Sequence, residues 1–213
     1  MVISAIDKGL KYFGFSAHSP VPFENDFGLQ QEEISNYLNE TKRLKAKYED
    51  KIKLFTSMEF DYIPTMSEDI RERAIKYQLD YIISSVHLVY SPNGLWFIDG
   101  SKQESYDNGL KNCFDGDIKK AVGAFYGQTI EMIQGAKPDI VGHFDKVKMH
   151  NKDRYFKEDE TWYKDLGKPF VMDDGNALFY LEGTEQILKL KPNEELGFLT
   201  YADANFYYYY PKD

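Results

Sequence analysis

Cysteine is nearly absent: the 213 residues contain one, Cys113. A single thiol forms no internal disulfide, so nothing in the chain calls for an oxidising compartment. Cys113 reads as a small, partly buried side chain. No apolar run reaches the ~20 residues of a bilayer-spanning helix. The first ten residues, with Asp7 and Lys8 inside a mixed pattern, lack the charged head, apolar stretch and small-residue cleavage site of a signal peptide. The expectation is a soluble cytoplasmic protein with no membrane partner. Cationic excess is missing too: 26 Lys and Arg stand against 35 Asp and Glu, a formal charge of −9. No cluster of basic residues offsets it, which argues against a nucleic-acid surface.

What is present is core-forming material. Hydrophobic residues make up 42% of the chain and aromatics 16%. The length suits one sizeable α/β domain spanning 1–213. Val2 to Tyr12 reads as a short helix and Tyr12 to Ser16 as a strand. Gln31 to Tyr48 carries Ile34, Tyr37, Leu38, Leu44 and Tyr48 on one helical stripe. Lys51 to Phe60 follows as a strand. Ser67 is the expected N-cap of a helix running to about Gln78. Asp80 to Val89 reads as one apolar strand, Ser91 to Gly116 as a long irregular stretch, and Asp117 to Gln134 as a helix. Asp139 to Phe144 and Lys168 to Met172 complete the strands. Alternation of this kind predicts βαβ units and a parallel sheet, with any site at the C-terminal strand ends.

Histidine is scarce, at four residues. Three of them finish apolar segments: His18 after Gly14-Phe15-Ser16-Ala17, His87 after Ile82-Ile83-Ser84-Ser85-Val86, and His143 after Ile140-Val141-Gly142. A fourth segment ends in Glu59. A parallel sheet would gather all four at one rim. Imidazole plus carboxylate suits Zn²⁺, Mn²⁺ or Fe²⁺ and excludes a thiolate site. His150, in a polar stretch, reads as a surface residue.

The segments Gly14-Phe-Ser-Ala-His-Ser-Pro20, Glu59-Phe-Asp-Tyr-Ile-Pro64, Ser84-Ser-Val-His87 and Gly142-His-Phe-Asp145 resemble those of the PHP superfamily. Within it, they are most similar to the PHP-type histidinol-phosphatases, from about Ile3 to Phe170. The resemblance implies a distorted (β/α)7 barrel with a multinuclear metal site at its mouth. It also implies hydrolysis of L-histidinol phosphate, a small phosphorylated substrate, in histidine biosynthesis. By position, His18, Glu59, His87 and His143 match family metal ligands. Asp61 and Asp145 each lie two residues beyond a ligand, where strand periodicity returns a side chain to the same face and lets it orient that ligand. Arg154 resembles a family residue that clamps the phosphate bidentately. Apart from the resemblance, the irregular stretch with Trp96, Phe97, Asp99 and Gly100 reads either as a substrate lid or as a plain surface loop.

The sequence departs from the family at both ends. Family members open with a strand ending in His-x-His, and no such motif occurs here. The expectation is an incomplete first strand and an exposed barrel seam through which copies of the chain could associate. Near the C-terminus, Ala202-Asp203-Ala204-Asn205 stands where the family has Ser-Asp-Ala-His, which makes Asp203 a further candidate ligand and puts Asn205 in place of a histidine. Met172-Asp173-Asp174 offers a weak carboxylate counterpart. The run Tyr207 to Tyr210 reads as a sheet edge or a tail. Two functions follow: a metal-dependent phosphatase, or a non-catalytic relative that keeps partial metal binding or serves as an interaction module.

Overall fold

A computed structural model describes residues 1–66 and 69–167, and beyond them the backbone of five short strands. The chain divides into two compact units: Met1–Asp61 with Met66–Ile83, and Tyr62–Thr65 with Ser84–Asp213.

The first unit begins with helix α1 (Val2–Asp7) and strand β1 (Tyr12–His18). The predicted Gln31–Tyr48 helix opens as a 3₁₀ turn, Gln31–Glu33, before α2 (Ile34–Tyr48). Its entry is fixed by a reciprocal cap in which the Gln30 N–H donates to Glu33 at 2.7 Å. Strand β2 (Lys53–Asp61) and helix α3 (Ile70–Tyr77) follow. Asp69 caps α3 by accepting from the Glu72 N–H; the expected cap Ser67 lies outside the described residues. Gln78 ends the helix in the left-handed region at φ 53°.

β1 and β2 pair in parallel, residue for residue, from Tyr12↔Lys53 to His18↔Glu59. Alternation then sorts the side chains. Phe13, Phe15, Leu54 and Ile52 join Val2, Ala5, Tyr37, Leu44 and Tyr48 in one apolar cluster. Gly14, Ser16 and His18 share the opposite face with Ser57, Glu59 and Asp61. The Tyr37 hydroxyl donates to the Ser57 carbonyl at 2.7 Å and accepts from the Ala17 N–H at 3.4 Å, tying α2 to both strands. Gly14 is required by a close approach: a Cβ there would lie 2.1 Å from the Tyr81 hydroxyl oxygen.

In the second unit the expected Asp80–Val89 strand is two pieces, β3 (Ile83–Ser85) and β4 (Leu88–Ser91). β4 turns back on β5 (Gly94–Phe97) as an antiparallel hairpin. The predicted irregular stretch also contains helix α4 (Gln103–Phe114). Its Tyr106, Leu110 and Phe114 recur one helical turn apart and are buried. Helix α5 (Ile118–Ala136), with Asp117 accepting from Lys120 N–H as its N-cap, leads to strand β6 (Ile140–Val141). Buried Gln128 on α5 serves three backbone groups: it donates to the Tyr62 and Leu88 carbonyls and accepts from the Tyr90 N–H.

After helix α6 (Thr161–Gly167) come β7 (Phe170–Asp173), β8 (Asn176–Tyr180), β9 (Ile187–Asn193), β10 (Phe198–Tyr201) and β11 (Tyr207–Tyr209). The strand order within this unit is β3-β6-β11-β10-β9-β8-β7. The pairings from β7 to β11 are antiparallel, and β11 lies parallel to β6. The expected (β/α)7 barrel is met in part among the described residues. The α/β pattern with parallel pairing holds, but strict alternation stops after α6, and no pairing among the described residues closes a barrel. The connections explain why. Two, six, four and five residues separate successive strands from β7 to β11, and a parallel crossover needs a dozen or more. Tyr207–Tyr209 is an interior strand of this order rather than an edge.

Two outcomes test this packing. Gly14→Ala should lower the unfolding free energy by about 1–3 kcal/mol through overpacking, and Tyr81→Phe in the same chain should return part of the loss in denaturant melts. Burial is the main cause that pushes the Tyr81 hydroxyl up to about 12. The folded chain therefore keeps a proton that the unfolded chain releases near pH 10. Tyr81 supports stability below about pH 10 and loses that support towards pH 12, so the wild type should weaken relative to Tyr81→Phe across that window alone.

Candidate metal centre

β1 ends at the pair His18↔Glu59, and β2 continues two residues further to Asp61, so these side chains stand together in the first unit. His18 Nε2 is 3.7 Å from Glu59 Oε2, and its Nδ1 is 3.5 Å from Asp61 Oδ2. Asp61 is on the strand, so its place beside Glu59 follows from period two. Its side chain is fully buried, whereas a third of His18 is exposed. The His18 backbone is fixed on both sides: its carbonyl accepts from Leu29 N–H, and Ser19 N–H donates to the Glu59 carbonyl. The intervening loop is organised by Asn25, whose side-chain oxygen accepts from the Phe27 and Gly28 N–H groups. That turn sets the Phe27 ring edge-on to the His18 imidazole, with centroids 5.9 Å apart.

In the second unit, His87 sits in the gap between β3 and β4. Its carbonyl accepts from Ile98 N–H, and the Gly142 N–H donates to Ser84. Neighbouring strands β3 and β6 thus deliver His87 and His143 to one place. Their Nε2 atoms are 3.1 Å apart. His87 is buried and His143 exposed. Two nitrogens at ~2.0–2.1 Å from one tetrahedral ion stand roughly 3.3 Å apart, so this spacing fits two ligands of one metal. Asp99 Oδ2 lies 3.7 Å from His87 Nε2 and 3.3 Å from Lys146 Nζ.

Other expected site residues fall elsewhere. Trp96 is fully buried, and its indole N–H donates to the Tyr106 carbonyl at 2.9 Å while the ring packs on Gly109. It is a core residue, with no face left for a substrate. Asp145 lies past the end of β6, where strand periodicity no longer applies, and pairs with Lys148 at 2.8 Å. The Arg154 guanidinium holds Asp107 through two bonds, of 3.0 and 2.8 Å, and also donates to the His150 carbonyl. That cation keeps the Asp107 carboxyl below its usual range. His150 is buried and bonded to the Gly100 carbonyl at 2.7 Å, not a surface residue. Asp203 and Asn205 lie outside the described residues, and of Asp173 only the backbone is described. The sequence reading passed over Lys146; the available signal was a cation one short turn after His143, whose carbonyl accepts from the Lys146 N–H.

Known proteins are similar to this chain. A protein of Schizosaccharomyces pombe named "Probable histidinol-phosphatase" is 30% identical over 157 residues, covering 69% of this chain and 49% of its own length. The "Histidinol-phosphatase" of Saccharomyces cerevisiae is 25% identical over 140 residues, covering 60% and 41%. The chain therefore spans about half the length of the curated relatives it matches. The crystal structure of a protein of Listeria monocytogenes named "putative histidinol phosphatase" superposes with a TM-score of 0.61 at 21% identity, over 70% of this chain and 60% of that one; this likeness concerns the fold. The family profile described as the PHP domain matches residues 1–182, and on that match the chain belongs to the PHP domain family.

Proposed function

We propose that this chain is a metal-dependent phosphate monoester hydrolase acting on L-histidinol phosphate, a cytoplasmic enzyme of histidine biosynthesis. The observation that carries the reading is the pair of imidazole Nε2 atoms 3.1 Å apart at His87 and His143, in a PHP-family chain whose matched relatives bear that enzyme's name. In this reading, divalent metal is held by His18 and Glu59 in the first unit and by His87 and His143 in the second. Asp203 is a further ligand on the strength of its sequence context alone.

The donor set fits Zn²⁺, Mn²⁺ or Fe²⁺: neutral imidazoles and carboxylates, with no thiolate among them. When bound, such ions lower the pKa of a coordinated water and offset phosphoryl charge. The chain's own residues do the positioning. Asp61, buried behind His18, faces its Nδ1 and so directs Nε2 outward. The Glu59 carboxylate, opposite His18 in the register, presents its oxygen on the same side. His143, exposed where His87 is buried, gives a substrate its approach to the pair.

Metal analysis of purified protein, run beside hydrolysis of histidinol phosphate and a generic phosphoester, tests the proposal. Wild type should carry stoichiometric metal and release phosphate. His87→Ala should lose both, and Asp61→Asn should weaken metal affinity or turnover by about 10–100-fold. Arg154→Ala, remote in its bonding from the ligands, should retain its metal. A wild-type protein without metal, and no better than His87→Ala at hydrolysis, ends the enzyme reading.

A further inference from the structure

The proposed substrate is a phosphate monoester, and a doubly charged anion must be met by cations. Arg154, the cation the sequence suggests, is committed to Asp107 and the His150 carbonyl. The histidine pair has a different cation beside it. Lys146 Nζ is 3.3 Å from Asp99 Oδ2, and Asp99 Oδ2 is 3.7 Å from His87 Nε2. Asp99 and Lys146 side chains keep only 14% and 25% of their exposure. The second Asp99 oxygen is buried with no hydrogen-bond partner among the described residues. The carboxylate is therefore held mainly by one ammonium.

We propose that Lys146 is the phosphate-contacting cation of this site, aimed by Asp99. This rests on the phosphatase reading. An ammonium carries three N–H donors; the Asp99 pair takes one, and two remain for phosphoryl oxygens. The lysine is anchored at both ends: its backbone N–H donates to the carbonyl of His143, and its side chain is held by Asp99, whose same oxygen lies 3.7 Å from His87 Nε2. A phosphoryl group between the imidazole pair and Nζ would touch both. Asp99 is a positioning residue, since it acts through Lys146.

Inorganic phosphate and histidinol phosphate are the probes, used on the metal-loaded full chain. Lys146→Met should weaken phosphate inhibition and raise KM for histidinol phosphate by about 10–100-fold, the loss of one charge-assisted bond, while metal content stays at the wild-type level. Lys146→Arg should restore most of the phosphate affinity. Asp99→Asn should shift KM in the same direction but less. Circular dichroism and metal content show whether each variant is folded; if Lys146→Met is not, the Lys146→Arg and Asp99→Asn results decide. Wild-type turnover with phosphate affinity unchanged in Lys146→Met overturns the assignment and leaves the phosphatase reading standing. No wild-type turnover and no phosphate binding by calorimetry overturns the phosphatase reading itself.

Discussion

The parallel register between β1 and β2 is the constraint on which the first unit's chemistry depends. Seven consecutive pairs run from Tyr12↔Lys53 to His18↔Glu59. A one-residue slip would turn His18, Glu59 and Asp61 into the apolar cluster and bring Phe15 and Leu54 out of it. The register is therefore held by hydrophobic burial on one face, and the ligand geometry on the other comes with it. Tyr37 reinforces this by bonding to the backbone of both strands at once. Gly14 allows Tyr81 to lie flat against the polar face.

A different device serves the second unit. His87 is not on a strand but between two, β3 and the β4–β5 hairpin. The interruption of the strand at that point frees peptide groups that must be satisfied. Gln128 does so for Tyr62, Leu88 and Tyr90, and Ile98 N–H does so for His87 itself. The buried amide thus converts a disrupted ladder into a fixed position for His87. The cost of leaving such groups unpaired, about 1–3 kcal/mol each, is what holds the imidazole in place.

Legibility followed from periodicity. The apolar segments leading to His18, Glu59 and His143, and the helices before and after them, are visible because their apolar spacing is regular. Asp61 was correctly placed beside Glu59 because β2 continues through it. The same rule failed for Asp145 because β6 stops at Val141. Helix α4 was hidden by its Asn, Asp and Gly content, although Tyr106, Leu110 and Phe114 carry the helical spacing; Gly109 is there because Trp96 packs against it. No sequence pattern shows that an indole is enclosed or that a lone polar-stretch imidazole such as His150 finds a buried carbonyl. The short connections after α6 carry the signal of antiparallel hairpins, which alternation of strand and helix does not.

Electrostatics bears on how such a site can accept a phosphate at all. The chain carries a formal −9, to which Glu59 and Asp61 beside His18 in the first unit and Asp99 beside His87 in the second contribute. Carboxylates beside imidazoles suit divalent cations and repel phosphate, so an anionic substrate requires cations that are fixed close by. Arg154 cannot serve without first releasing Asp107, which would strand a carboxylate whose affinity for its proton the guanidinium holds down. Lys146 needs no such release, because one partner satisfies one of its three donors. Among the cations described near the histidine pair, it alone combines proximity to His87, through Asp99, with spare hydrogen-bonding capacity. The same argument gives Asp99 its purpose: a largely buried carboxylate is costly unless a cation is held beside it, and Lys146 is that cation.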